Sequence, residues 1–265
     1  MNRKLRFIGL ALAIVFSLAA TRQDADAASD TLDKIAGSGL LKVAVPQDFP
    51  PFGSVGSDMK PIGYDIDMAG LIAKELGVKL ELVPVTSTNR IPYLTTGKVD
   101  LVISSLGKNP DREKVIDFTN AYAPFFNGVF GPKNLEINNA GDLASRTIAV
   151  TRGSIEDLEL TKIAPESAVL QRFEDNSSTI SAYLSGQVEL VATGNVVAAS
   201  INEQGPGKML ESKFLIKNSP CYIGINKDQP KLMAKLNVLI ESAKKNGSLE
   251  TISQKWLHTK LPENL

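Results

Sequence analysis

Residues 99–119 read VDLVISSLGKNPDREKVIDFT. The apolar run Leu101-Val102-Ile103 has strand character and passes directly into two hydroxyl residues, Ser104 and Ser105. Gly107 follows. Asn109-Pro110-Asp111 then has the make-up of a helix start: an N-cap amide, a proline that lacks only an orphan donor, and an acid at the positive helix end. Arg112 falls in the first turn. A strand whose carboxyl end carries hydroxyls, unpaired amides and a guanidinium is suited to gripping a small carboxylate. The plain alternative for Arg112 is a surface pair with Asp111, Glu113 or Asp117.

Outward from this stretch, strand and helix patterns alternate. Leu41–Val45 reads as a strand and ends in a Pro/Gly-rich loop, residues 46–61. Residues 67–76 form an amphipathic helix with Met68, Leu71, Ile72 and Leu76 on one side and Gly77 as the stop. Residues 78–85 are a strand, followed by a short helix capped by Thr88, with Pro92 tolerated early, and ended by Gly97. The second half repeats the scheme. Residues 147–150 are a strand, Ser154 and Asp157 make a capping-box-like pair, and residues 169–173 are a strand. A helix capped by Asn176 or Ser177 runs to Gly186, and residues 188–192 form the next strand. LTTGKVDLV (94–102) and LSGQVELV (184–191) share one helix-glycine-strand plan. The predicted fold is α/β, with βαβ units and parallel-rich sheets in two lobes. Residues 128–133 and 222–227, short and glycine-bearing, are expected to cross between lobes. The closing helical part, residues 229–265 with a turn at Asn246-Gly247, returns to the first lobe. The expected division is 28–131 and 221–265 for the first lobe and 132–220 for the second.

Residues 1–27 read as a Sec-type signal peptide: Arg3, Lys4 and Arg6, an apolar segment from Phe7 to Ala20, and the cleavage pattern Ala25-Asp26-Ala27. No other stretch approaches the roughly 20 apolar residues of a spanning helix. The expectation is an exported periplasmic protein. Cys221 is the single cysteine, so an internal disulfide is excluded and no lipid acceptor adjoins the signal. Its apolar neighbours predict a buried thiol. Twenty-nine basic residues face 29 acidic ones, which gives no field for nucleic acid or an anionic membrane.

Three further groups are candidates for contact with a small molecule. Gly153 before Ser154 and Ile155 places free amides at a helix N-terminus, an anion site or a plain cap. Phe49 among prolines forms a rigid wall, or packs on the core, which suits Phe52 better. Asn89 and Arg90 face a ligand or simply start a helix. Catalytic patterns are poor: His258 is the sole histidine, and HExxH, paired-cysteine and phosphate-loop motifs are missing, so no metal or cofactor is expected. Acid/base roles for Glu156, Asp48 or Asp175 stay open.

GLLKVAVPQDFPPFG (39–53), IGYDIDMAGLIAKELGV (62–78), LTTGKVDLVISSLGKNPDREKVIDFTNAYAPF (94–125), DLASRTIAVTRGSIEDLEL (142–160), LSGQVELVATGN (184–195) and KKNGSLETISQKWL (244–257), in this order, resemble the family 3 solute-binding proteins, amino-acid receptors of ABC importers. The resemblance implies a two-lobe periplasmic-binding-protein fold with two hinge crossings and a ligand cleft between them. It implies that Arg112 binds a ligand carboxylate, helped by Ser105, Gly107 and the Gly153-Ser154-Ile155 turn, with Phe49 as cover. It implies an importer permease as partner and a small carboxylate-bearing solute, a polar or neutral amino acid, as ligand; a monomer is expected. Binding rather than catalysis is implied, although cyclohexadienyl dehydratases share the fold and would use Glu156 as an acid. One feature departs. The aspartate that pairs with the ligand ammonium in many members is replaced by Gly194, which leaves Ser104, Ser105, Asp175 or Asn195 to compensate the amine, or a ligand that presents a different group there. The usual serine at 107 is glycine, and Pro46 stands where receptors of basic amino acids carry an acid.

Overall fold

The computed structural model describes residues 30–203 and 209–265; the expected signal peptide lies outside them. Helix α1 (Thr31–Ser38) leads into β1 (Leu40–Val45). The following loop holds the small hairpin β2 (Ser54–Val55) and β3 (Pro61–Ile62). Then come α2 (Tyr64–Leu76), β4 (Lys79–Pro84), α3 (Arg90–Thr95), β5 (Leu101–Val102), α4 (Pro110–Glu113) and β6 (Ile116–Ala123). The next block is β7 (Phe126–Gly131), β8 (Thr147–Thr151), α5 (Ile155–Ile163), β9 (Val169–Phe173), α6 (Asn176–Leu184), β10 (Leu190–Gly194), α7 (Asn195–Glu203) and β11 (Glu211–Asn218). β12 (Cys221–Asn226), α8 (Pro230–Lys245) and α9 (Ser248–Leu257) complete the described chain.

Two mixed five-stranded sheets result. The first runs β4-β1-β5-β12-β6 and the second β11-β7-β10-β8-β9. In each, three strands are parallel (β4, β1, β5; β10, β8, β9) and two run antiparallel to a neighbour. The related plans anticipated from the two helix-glycine-strand segments are thus present, and in each lobe the parallel strands end on the side that faces the cleft.

The crossings differ from expectation. Gly128 to Gly131 lie inside β7, paired with β10 and β11, and Tyr222 to Asn226 lie inside β12, paired with β6. The chain changes sheet at Pro124-Phe125 and at Ser219-Pro220, and the Ser219 amide donates to the Phe125 carbonyl at 3.1 Å, tying the two crossings together. The glycines of these two segments serve close packing. A Cβ at Gly131 would lie 2.7 Å from Leu190, and one at Gly224 2.7 Å from Leu106.

Local chemistry explains most element ends. Asn109 caps α4 by accepting from the Arg112 amide at 2.9 Å, and Ser154 caps α5 by accepting from the Asp157 amide at 3.2 Å. Helix α6 is capped by Asp175, one residue earlier than expected, because its carboxylate reaches the Ser178 amide at 2.7 Å. Helix α3 is preceded by Asn89 rather than Thr88. Helix α2 begins three residues before the expected start, at Tyr64, where buried Tyr64 and Asp65 extend its inner face.

The first sheet is packed on one face by α2, α8 and α9. Phe49, Phe52, Tyr64, Tyr122 and Phe125 join this core, each burial stabilising by about 1.5–3 kcal/mol. Val197 of α7 belongs to the same cluster, so a helix that follows a second-sheet strand leans on the first lobe. Cys221 is fully buried there, as its neighbours predicted.

Candidate functional site

The two sheets present matching strand ends to a common cavity. Ser104, Ser105 and Gly107 follow β5; Ser154, Ile155 and Glu156 follow β8. Phe49, Ser87, Arg90, Phe125, Asn127 and Ser219 complete most of the wall. Open α/β sheets place ligands beyond the carboxyl ends of their strands.

Arg112 is buried beside this cavity and fastens its two sides. Nη1 donates to the Gly107 carbonyl at 2.6 Å and Nη2 to the Gly153 carbonyl at 2.9 Å, one partner from each lobe. Burial, with the positive Arg90 nearby, pushes its pKa down to about 9. The surface pairing with Asp111, Glu113 or Asp117 does not form; Asp111 pairs with Lys114 instead. Arg90 is equally buried, and its guanidinium donates to the Ser104 carbonyl at 2.5 Å, the Ser87 carbonyl at 3.3 Å and Ser87 Oγ at 2.9 Å. It thereby holds two segments of the wall in place, and burial lowers its pKa.

Ser105 takes a left-handed φ of 39°, uncommon for serine. Asp65 holds it there: one carboxylate oxygen accepts from the Ser105 amide and the other from the Tyr122 hydroxyl, both at 2.6 Å. Complete burial raises the Asp65 pKa to about 7 against the opposing effect of those bonds. The sign follows from an unfolded value near 4. Between about pH 4 and pH 7 folding takes up a proton, so the contribution of Asp65 to stability falls as pH rises through that window. Asp65→Asn is expected to flatten this part of the stability profile, as read by urea melts across a pH series; an unaltered slope would refute the assignment.

Across the cleft, Asp48 reaches from the loop after β1 to the start of α6. Its Oδ2 accepts from the amides of Asn176 (2.7 Å) and Ser177 (3.3 Å), and Oδ1 from Asn176 Nδ2 (3.1 Å). On the α5 side, the amides of Ile155 and Glu156 occupy the first helical positions, which have no partner within the helix.

Of the residues singled out in the sequence, Phe49, Arg90, Ser104, Ser105, Gly107, Ser154 and Ile155 line the cavity. Arg112 and Gly153 meet each other beside it. Asn89 and Asn195 are drawn away: Asn89 Oδ1 accepts from the Thr86 amide at 2.9 Å and Asn195 Oδ1 from the Phe126 amide at 3.0 Å. Asp175 is committed to its cap, and Arg152 to an exposed pair with Glu174. Gly194 has no room for a side chain, since a Cβ there would lie 2.1 Å from the Phe125 ring. Sequence reasoning missed Asn127 and Ser219. The one available signal for Asn127 was a polar residue inside the run Phe125-Phe126-Asn127-Gly128-Val129.

The model of the bacterial extracellular solute-binding proteins, family 3, matches residues 41–259. The chain belongs to this family. The glutamine-binding protein of Geobacillus stearothermophilus is 33% identical over 211 residues, covering 77% of this chain and 79% of that protein. Among solved structures, an ancestral arginine-binding protein bound to glutamine is 32% identical with a TM-score of 0.76, covering 82% and 97% of the two chains. An ancestral amino acid-binding protein described as a precursor of cyclohexadienyl dehydratase is 30% identical with a TM-score of 0.78, covering 86% and 99%. These relatives are binding proteins, and this family 3 protein is likewise a non-enzymatic solute-binding protein with the two-lobe fold. Among the described residues no helix is long and apolar enough to cross a membrane.

Proposed function

We propose that this family 3 protein is the amino-acid-binding component of an ABC importer and that its ligand is a polar, uncharged L-amino acid, L-glutamine first among them. The observation that carries this reading is the polar cavity between the two sets of strand ends. In it the ligand carboxylate is held by Arg112, the Ile155 and Glu156 amides, and the Ser104–Gly107 segment, with Phe49 as an apolar cover. Charge balance supports an uncharged side chain. The buried guanidinium groups of Arg90 and Arg112 stand against the carboxyl groups of Glu156 and Asp65, and a zwitterion leaves that balance unchanged. The names of the glutamine-binding relatives point the same way.

The protein is exported by the signal in residues 1–27, works unlipidated as a periplasmic monomer, and delivers its ligand to the membrane permease. Lobe closure by hinge motion sequesters the ligand. The test is a thermal-shift panel of the twenty L-amino acids, followed by calorimetry. The expected result is a polar neutral amino acid with a Kd of about 1 μM, which corresponds to about −8 kcal/mol. A panel in which no L-amino acid raises the Tm overturns the reading.

A further inference from the structure

The cavity has one wall whose chemistry the strand-end donors leave unexplained. Glu156 is the sole carboxylate among the described residues lining it. It is buried, and its Oε1 accepts from Asn127 Nδ2 at 2.8 Å. A carboxylate only accepts, so the amide nitrogen must face it and Asn127 Oδ1 is turned away as a free acceptor. That oxygen is buried without a hydrogen-bond partner, and so is Ser219 Oγ. Asn127 and Ser219 are 2% and 4% exposed, and both line the cavity. Buried polar atoms left unpaired are costly and rare, which marks these two as waiting for a group that enters the cavity.

The needed group is a cationic donor. Other carboxylates nearby are spent: Asp65 on Ser105 and Tyr122, Asp48 on the start of α6, and Asp175 on its cap. The Phe125 ring closes the approach from Gly194. The donor nitrogens of Arg90 are already bonded to Ser104 and Ser87. An alkylammonium carries three N–H donors, and this wall offers three acceptor groups.

Resting on the amino-acid reading above, we infer that Glu156, oriented by Asn127, is the receptor for the ligand ammonium, with Asn127 Oδ1 and Ser219 Oγ accepting its remaining hydrogens. The amine is thus held from α5 of the second lobe, next to the amides that face the ligand carboxylate. Asn127 acts partly as a positioning residue, since it fixes the carboxylate that makes the charged contact.

The experiment compares L-glutamine with its des-amino analogue, glutaramic acid, by calorimetry on the full mature protein and on Glu156→Gln and Asn127→Ala. The wild type is expected to favour glutamine over the analogue by about 100-fold, and Glu156→Gln to shrink that ratio to about threefold. Asn127→Ala is expected to fall between them. A merely structural role for Glu156 would weaken both probes alike and keep the ratio, and a preserved ratio overturns the inference. If glutamine is not bound, the pair is made from the best amino acid of the panel and its des-amino form. If no amino acid binds, the amino-acid reading fails by itself. Putrescine and γ-aminobutyrate then serve as probes: amine binding lost in Glu156→Gln supports the ammonium receptor, and its absence in the wild type refutes it.

Discussion

Arg112→Ala is expected to abolish ligand-induced thermal stabilisation and to weaken ligand binding by more than about 100-fold. Two losses combine. On the function proposed above, the ligand carboxylate loses its guanidinium, and the Gly107 and Gly153 carbonyls lose the donor that joins them across the cleft. Each charge-assisted bond of this kind contributes about 1.5–3 kcal/mol. Both bonds exist without ligand, so the ligand-free Tm is expected to fall as well, and the binding loss is read by calorimetry at a temperature where the variant is folded. Arg112→Lys is expected to recover only part of the binding, because an ammonium cannot span two divergent carbonyls as a planar fork does. Full ligand-induced shifts in Arg112→Ala would refute the role proposed for this residue.

Gly194→Asp is expected to destabilise the protein by about 3 kcal/mol or more, although it restores the residue type common elsewhere in the resemblance. A Cβ at 194 would meet three Phe125 ring carbons at 2.1, 2.5 and 3.0 Å. The ring is part of an aromatic cluster that must shift with it, 5.4 Å from the Phe52 ring and 6.1 Å from that of Phe49 by centroid. A new carboxylate at this spot would also enter buried surroundings. The Tm is expected to fall by roughly 10 °C, on a scale of about 2–4 °C per kcal/mol for a chain of this size. Adding Phe125→Ala is expected to cost less than the sum of the two single changes, since the clash and the ring disappear together. A wild-type Tm for Gly194→Asp would refute the packing argument. The position is therefore occupied in space by an aromatic ring, and the wall at Glu156 takes over its chemistry.

Much of this was readable from local pattern. Leu101-Val102 followed by Ser104 and Ser105, and the Asn109-Pro110 start of α4, are short-range rules, and the structure follows them. The Ser154 cap was equally visible. What escaped depends on partners distant in the chain. Gly128 and Gly131 look like linker residues until β10 and β11 pack against them. The local sequence marks Arg112 as a donor suited to a carboxylate, but its attachment to Gly153 spans 41 positions and has no local signature. Asn127 and Ser219 are polar residues whose importance lies in lacking partners, a property that only three-dimensional neighbours define. Asn89 and Asn195 have suitable chemistry and the wrong direction, each spent on a backbone amide.

The start of α6 has divided ownership. Its own lobe supplies Asp175 for the Ser178 amide, while the Asn176 and Ser177 amides belong to Asp48 of the opposite lobe. Parting the lobes hands those two amides to water and leaves the third in place. Deuterium uptake at Asn176 and Ser177, set against Ser178 as an internal standard, is therefore a clock for cleft opening that needs no attached probe and no knowledge of the ligand.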